Sequence, residues 1–197
     1  MPRPPDPELE ERIVRVADVL WRRGGEKALT MRAVARAAKT NTPAVYRRFK
    51  DRDDLIRALL LRIAGRIREQ FAQADTLEDM AEAYVDFALK LPHEYELFYS
   101  HARWLSPRKG PGAPRPIRES RPNFAYVEQV AAKQLGGRPE EYTQLALQMW
   151  ALLHGASMLL LTKGIPEGHE EALRAACRSL VKATLENVAQ ARAAHST

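Results

Sequence analysis

A group of side chains suited to nucleic-acid recognition lies between residues 42 and 48. If this segment is helical, Thr42, Tyr46, Arg47 and Arg48 lie opposite the apolar Val45. Arginine pairs bidentately with guanine edges or holds phosphates, threonine bonds a base or contacts a thymine methyl, and tyrosine reaches a phosphate. These residue types therefore fit a surface that reads a groove of duplex DNA.

Two short helices must position that surface. Thr30 is a predicted N-cap for a helix with Met31, Val34 and Ala35 facing inward, and Asn41 is one for a helix that runs to Phe49. Only residues 38–40 separate them, and Ala35 and Ala38 are small where the helices must approach. This spacing predicts a helix-turn-helix motif, whose second helix enters the major groove.

The rest of the chain predicts an all-α fold. Asp6 and Pro7 begin a first helix that ends at Gly24 and Gly25, and Asp51 begins a long fourth helix whose inner stripe is Leu55, Leu59, Ile63 and Ile67. Further helices are predicted over residues 76–91, where Thr76 is the N-cap, and over residues 92–104, 117–135, 139–163 and 166–193. We expect about nine helices, in a three-helix DNA-binding domain (1–50) and a larger effector-binding and dimerisation domain (51–197). The proline- and glycine-rich residues 106–116 are predicted to be a mobile lid or disordered.

The excess of basic over acidic residues is confined to the first quarter of the sequence. The chain has a net charge of +6, and residues 1–50 hold 12 Lys and Arg against 6 Asp and Glu, whereas the remainder holds 19 of each. A basic segment beside a neutral one is typical of a protein that neutralises phosphates, although a solvated basic surface would have the same composition.

Residues 25–55 resemble the DNA-binding segment of the tetracycline-repressor (TetR/AcrR) family. The matching positions are Gly24 or Gly25, Ala28, Thr30, Val34, Ala35, Ala38, Val45, Tyr46, Phe49, Arg52 and Leu55, whereas Lys39 and Thr40 replace the usual glycine and apolar residue of the turn. The resemblance implies phosphate contacts by Tyr46 and Arg52 and places Thr42, Ala44 and Arg47 nearest the bases. The full predicted DNA-binding set is Thr30, Arg32, Asn41, Thr42, Pro43, Ala44, Tyr46, Arg47, Arg48, Lys50 and Arg52.

The second half resembles the family's regulatory domain in architecture, and Trp150 to Gly155 resembles the Trp…His-Gly element of one branch. Aromatic and polar side chains predict a pocket for a small, mostly apolar effector, although most such residues are simply core. The predicted lining is Tyr84, Phe87, Phe98, Tyr99, Trp104, Phe124, Met149, Trp150 and His154.

An apolar face on each of the last two helices predicts a homodimer, unless both faces are buried within one subunit. The face on residues 139–163 consists of Leu145, Met149, Leu152 and Leu160, and that on residues 166–193 of Leu173, Ala176, Leu180, Thr184 and Val188.

The sequence gives little support for other function classes. It has no phosphate-binding glycine loop or nucleophile elbow, and we interpret the single Cys177 as a core residue rather than the partner of His154. The spacing of His93, Glu94, Glu96 and His101 is unlike a metal site, so no metal or cofactor is expected. Charged residues near the start and a short longest apolar stretch predict neither secretion nor a membrane span, and hence a cytoplasmic protein.

The sequence therefore predicts a DNA-binding transcriptional repressor that an effector releases from a palindromic operator. It leaves two alternatives open: a ligand-independent DNA-binding adaptor, and a helical small-molecule-binding protein whose DNA domain does not function.

Overall fold

A computed structural model describes residues 8–101, 116–121 and 123–195. These residues form ten α-helices and a 3-10 turn at Pro139–Tyr142, and contain no strand, which confirms the predicted all-α class. The helices are α1 (Leu9–Ala28), α2 (Met31–Ala37), α3 (Thr42–Arg48), α4 (Arg52–Phe71), α5 (Leu77–Lys90), α6 (Pro92–Ser100), α7 (Ile117–Ser120), α8 (Phe124–Leu135), α9 (Thr143–Leu161) and α10 (Glu170–His195).

Local capping signals were predicted correctly. The side chains of Thr30, Asn41 and Thr76 accept hydrogen bonds from the backbone amides of Ala33, Ala44 and Asp79, respectively. At the start of α4, Asp51 Oδ1 accepts from the Asp54 amide at 2.8 Å. Each contact satisfies a backbone donor that the first helical turn leaves unpaired, which explains why these helices begin where they do.

The helical geometry of α1 is broken at Gly24 and Gly25, where the sequence predicts a glycine stop, and a short helical turn follows as far as Ala28. Gly24 (φ −152°) and Gly25 (φ 57°, ψ −147°) both leave helical geometry. The positive φ of Gly25 is a conformation that glycine adopts without a side-chain clash. The predicted start at Asp6 and Pro7 lies outside the described residues.

Two later helix boundaries also differ from prediction. The single helix predicted over residues 117–135 is split, because Arg121 is extended (φ −131°, ψ 99°) as expected of a residue before proline. The last helix begins at Glu170 rather than at residue 166, since Gly168 has a φ of 86°. Residues 102–104 of the predicted sixth helix, and 106–115 of the predicted lid, lie outside the described residues.

The chain divides into two compact units. One comprises Met1–Gly65 and His93–Pro107, and the other Arg66–Pro92 and Arg108–Thr197. In the first unit, Leu55, Leu59 and Ile63 of α4 and Ile13 and Ala17 of α1 are all fully buried. In the second, α9 packs on α5, α8 and α10. The functional boundary predicted at residue 50 stays a prediction.

Pro139–Leu161 is the one described segment that is long and apolar enough to cross a membrane. Length and composition are the only support for such a span, and the core helix of a soluble protein has the same properties.

Candidate nucleic-acid interface

The α2–α3 pair is packed through small and apolar side chains. Ala35 is 3% exposed and Ala38 is fully buried, while Val45 and Phe49 contribute the apolar side of α3 at 0% and 4% exposure. Alanine at the point of approach lets two helix backbones come close, and the larger side chains fill the space beneath them. The packing requirements inferred from the sequence are therefore met.

The turn between these helices adopts the conformation for which glycine is usual. Lys39 has a φ of 52°, and the Thr40 amide donates to the Ala35 carbonyl at 2.9 Å. A lysine in this left-handed conformation costs about 1 kcal/mol relative to glycine. Arg12 of α1 donates from Nε to the Ala38 carbonyl at 3.0 Å and so ties the turn to the first helix.

The outer face of α3 presents basic and aromatic side chains to solvent. Tyr46 is 50% exposed, Arg47 is also exposed, and Thr42 and Arg48 are half-buried. Three more members of the predicted set are exposed: Arg32, Pro43 and Lys50. Ala44, which the resemblance places near the bases, lies instead on the packed side at 5% exposure. Thr30 and Asn41 act as helix caps in the structure, and contacts of the whole set with DNA stay predictions.

Arg52 is engaged by the protein itself. Its Nε donates to the Leu29 carbonyl at 3.0 Å, Nη2 to the Glu26 carbonyl at 3.1 Å and Nη1 to Glu26 Oε1 at 3.1 Å. No local pattern predicts these contacts, because the partners lie 23 and 26 residues away in the sequence.

Two protein-family models match the chain. One, described as bacterial regulatory proteins of the tetR family, matches residues 13–59, and the other, described as a tetracyclin repressor-like C-terminal domain, matches residues 77–194. The second match alone covers more than half of the 197 residues. The chain belongs to the TetR family. Its helix-turn-helix is the DNA-binding domain of a TetR-family transcriptional regulator, whereas the resemblance of Trp150 to Gly155 to one branch stays a prediction.

Solved TetR-like structures share this fold. A TetR-family member from Streptomyces coelicolor A3 is 22% identical, with 88% of this chain and 98% of that chain covered and a TM-score of 0.58. The multidrug binding protein EbrR complexed with imidazole is 22% identical, with 92% of each chain covered and a TM-score of 0.60. EbrR complexed with malachite green is 19% identical, with 89% and 97% covered and a TM-score of 0.56. No curated protein matches the sequence.

In this TetR-family protein, polar contacts between α1 and α6 form a largely buried junction within the first unit. The Trp21 indole donates to the His93 carbonyl at 2.6 Å, and Arg22 forms an ion pair with Glu94, which is only 1% exposed. A side chain at position 25 would contact the His93 ring, since its Cβ would lie 3.3 Å from Nδ1. No local sequence pattern predicts this junction, because its members lie about 70 residues apart and the burial of their charge arises only in the folded chain.

The predicted effector-lining residues fall into two groups. In the second unit, Tyr84, Phe87, Phe124 and Met149 are buried, Trp150 and His154 are half-buried, and the Phe124 and Trp150 rings meet edge to face at 6.5 Å. In the first unit, the Phe98 and Tyr99 rings of α6 lie 5.3 Å apart. Trp104 lies outside the described residues.

Three titratable groups of the second unit lie wholly or partly out of solvent: His154 is half-buried, and Cys177 and Glu128 are buried. Burial lowers the pKa of His154 and raises that of the Cys177 thiol, which favours the uncharged form of each side chain. Glu128 is fully buried and accepts a hydrogen bond from Thr143 Oγ1 at 2.6 Å, while its other oxygen lies 3.0 Å from Arg118. This cluster holds α7, α8 and α9 together.

The candidate metal residues do not form a common site. Glu94 pairs with Arg22, whereas His93 Nδ1 lies 3.9 Å from Glu96. Within residues 8–101, 116–121 and 123–195, no group of three His, Cys, Asp or Glu side chains is arranged to hold a metal ion.

Proposed function

We propose that the protein is a cytoplasmic, homodimeric transcriptional repressor that binds a roughly palindromic DNA operator and is released by a small, mostly apolar effector. The observation that carries this proposal is the exposed face of α3, where Tyr46 and Arg47 stand on a helix anchored by Val45 and Phe49 and capped by Asn41. Together with the basic excess of residues 1–50, this surface offers both phosphate and base contacts.

DNA binding is tested by fluorescence anisotropy with a labelled duplex over a range of salt concentrations. We expect affinity to fall steeply with salt, since each phosphate neutralised by a basic side chain releases counterions. Binding to no duplex, even at low salt, would contradict the proposal.

Exposed apolar side chains on α9 and α10 support the dimer. Leu145 and Met149 of the predicted α9 face are buried within the protomer, whereas Leu147, Met158 and Leu159 are each 41% exposed. On α10, Leu180 of the predicted face is 53% exposed, while Cys177, Val181 and Leu185 form the buried side. A second copy of the chain that covered these side chains would remove their apolar surface from water.

Effector release is proposed on three grounds. The Phe124 and Trp150 rings are in contact within the second unit, and EbrR is described as a multidrug binding protein. The continuous helix α4 begins four residues after the end of α3, the proposed recognition helix, and extends into the second unit. The α1–α6 junction provides a further connection, because Pro92 leads directly from α5 into α6. An effector that shifts α6 or the distal end of α4 would then displace the recognition helix.

The magnitude of release depends on how differently the effector binds the two states. A coupling free energy of about 1–3 kcal/mol would weaken DNA binding roughly 5- to 150-fold, and DNA must weaken effector binding by the same factor. Calorimetric titration of malachite green into free protein and into the protein–DNA complex tests this reciprocity. Equal affinities would exclude this compound as an inducer.

A substitution tests where the compound binds. Trp150→Ala should weaken malachite green binding, whereas Gln129→Ala, which changes an exposed side chain on α8, should not. Normal binding by Trp150→Ala would move the site elsewhere. DNA binding without any effector response would indicate an adaptor, and effector binding without DNA binding would indicate a small-molecule-binding protein.

A further inference from the structure

We propose that Arg52 is a positioning residue that closes the helix-turn-helix motif, rather than a side chain that contacts a DNA phosphate. The resemblance to the family implies that Arg52 contacts a phosphate. In the structure, however, three N–H groups of its guanidinium donate hydrogen bonds to Leu29 and Glu26 of the same chain. This inference rests on the proposed DNA binding for its affinity measurements only.

The contacts of Arg52 join the two ends of the motif. Leu29 immediately precedes Thr30, the N-cap of α2, and Arg52 is the first residue of α4, four positions beyond the end of α3. By bonding the carbonyls of both Glu26 and Leu29, the guanidinium fixes the segment that enters α2 against the segment that leaves α3. Both helices of the motif lie between these two fixed points.

The shape of the guanidinium matters for this role. Arginine presents its N–H donors in a rigid planar fork, whereas lysine has a single nitrogen on a flexible stem. Only the fork can reach the Leu29 carbonyl from Nε and the Glu26 carbonyl from Nη2 with near-ideal distances of 3.0 and 3.1 Å. Lysine would preserve the charge at this position but lose the paired contact.

The local charge also disfavours a phosphate contact. The Glu26 carboxylate neutralises the guanidinium at 3.1 Å, and Asp51 and Asp53 on either side of Arg52 are exposed. The side chain of Arg52 is only 33% exposed. A phosphate approaching it would meet acidic neighbours and a cation whose charge is already balanced.

Arg52 also borders the interface. It forms part of a groove of about 650 Å³ whose other lining residues include Thr30, Arg32 and Tyr46. Loss of the hydrogen bonds from Arg52 to Leu29 and Glu26 would therefore loosen the segment that enters α2 and displace the exposed side chain of Tyr46, which lines the groove. DNA affinity would fall without the loss of a phosphate contact.

The test compares Arg52→Ala and Arg52→Lys in the full chain, with Arg47→Ala as the matched control on the exposed face of α3. Affinity for a duplex selected from a random pool by the wild-type protein is measured across salt concentrations. We expect both Arg52 variants to bind roughly tenfold more weakly, with an unchanged slope of log affinity against log salt. Arg47→Ala should reduce the slope by about 0.9 if it removes one phosphate contact.

A second measurement does not need DNA. Amide hydrogen exchange of residues 29–33 in the free protein should accelerate in both Arg52 variants and stay unchanged in Arg47→Ala. A reduced slope in Arg52→Ala that Arg52→Lys restores would overturn the proposal, as would unchanged exchange at residues 29–33. Because the exchange measurement stands without DNA binding, it separates failure of this inference from failure of the proposed function. If Arg52→Ala does not fold, the Arg52→Lys comparison decides the question.

Discussion

Removing Arg22 should destabilise the protein far more than neutralising Glu94, although the two side chains form one ion pair. Glu94 is 1% exposed, whereas the Arg22 side chain is 42% exposed and lies 3.2 Å from Asp18 as well. Arg22→Ala therefore leaves a buried carboxylate without its arginine. Glu94→Gln leaves an arginine that keeps Asp18 and has access to water.

The expected magnitudes follow from this asymmetry. Breaking a fully buried ion pair by removing one partner costs about 3–5 kcal/mol, and the partial exposure of Arg22 lowers our expectation to about 2–3 kcal/mol. Glu94→Gln preserves shape and should cost about 1 kcal/mol. With a slope of roughly 2–3 kcal/mol per molar urea, the Arg22→Ala midpoint should fall by about 1 M.

Urea unfolding followed by circular dichroism, at one fixed protomer concentration, measures these differences. Arg138→Ala is the surface control, since this arginine is 81% exposed beside Glu141, and we expect no measurable change. The Arg22→Ala/Glu94→Gln double variant should be less destabilised than the sum of the single variants. A loss in Glu94→Gln equal to that in Arg22→Ala, or strict additivity, would refute this account of the junction.

Three further predictions concern the recognition helix, the dimer and a buried histidine. Asn41→Ala removes the cap of α3, so it should cost about 1 kcal/mol in unfolding free energy and weaken DNA binding. Thr76→Ala removes a comparable cap from α5 and should leave DNA affinity intact. Equal DNA affinities in the two variants would count against a role of the Asn41 cap in positioning α3 on DNA. Leu180→Glu should shift the dimer to monomer in light scattering at micromolar concentration, while Lys182→Glu on the same helix should not; a dimeric Leu180→Glu would place the interface elsewhere. Burial lowers the His154 pKa below its usual 6.5, so the unfolded state takes up a proton before the folded state as the pH falls through that value. His154→Gln should therefore reduce the loss of stability between about pH 7 and 5. An unchanged dependence of unfolding free energy on pH would disprove this contribution.

Features that depend on a few neighbouring residues could be predicted from the sequence. Thr30, Asn41 and Thr76 cap helices because an N-cap side chain bonds an amide only three residues ahead. The stripe of Leu55, Leu59, Ile63 and Ile67 is buried because four-residue spacing places these side chains on one face of α4.

Helix ends and long-range polar contacts were harder to predict. The chain resumes a helical turn after the Gly25 kink, and Gly168 delays α10, because backbone geometry at glycine is not fixed by its neighbours. Glu94 and Glu128 are charged residues that local patterns place on a surface, yet each is buried against an arginine distant in sequence or beyond a helix break. The hydrogen bond from Arg52 to the Leu29 carbonyl is equally hard to predict, because its partners lie 23 residues apart.

Selection of duplexes from a randomised DNA pool by the full chain tests the central claim most directly. A homodimer that reads DNA through α3 should enrich an inverted repeat whose half-site centres lie about 10–10.5 base pairs apart, or a multiple of that spacing. Arg47→Ala should enrich it less strongly. Recovery of no preferred sequence, or of a single half-site without its inverted partner, would contradict the account.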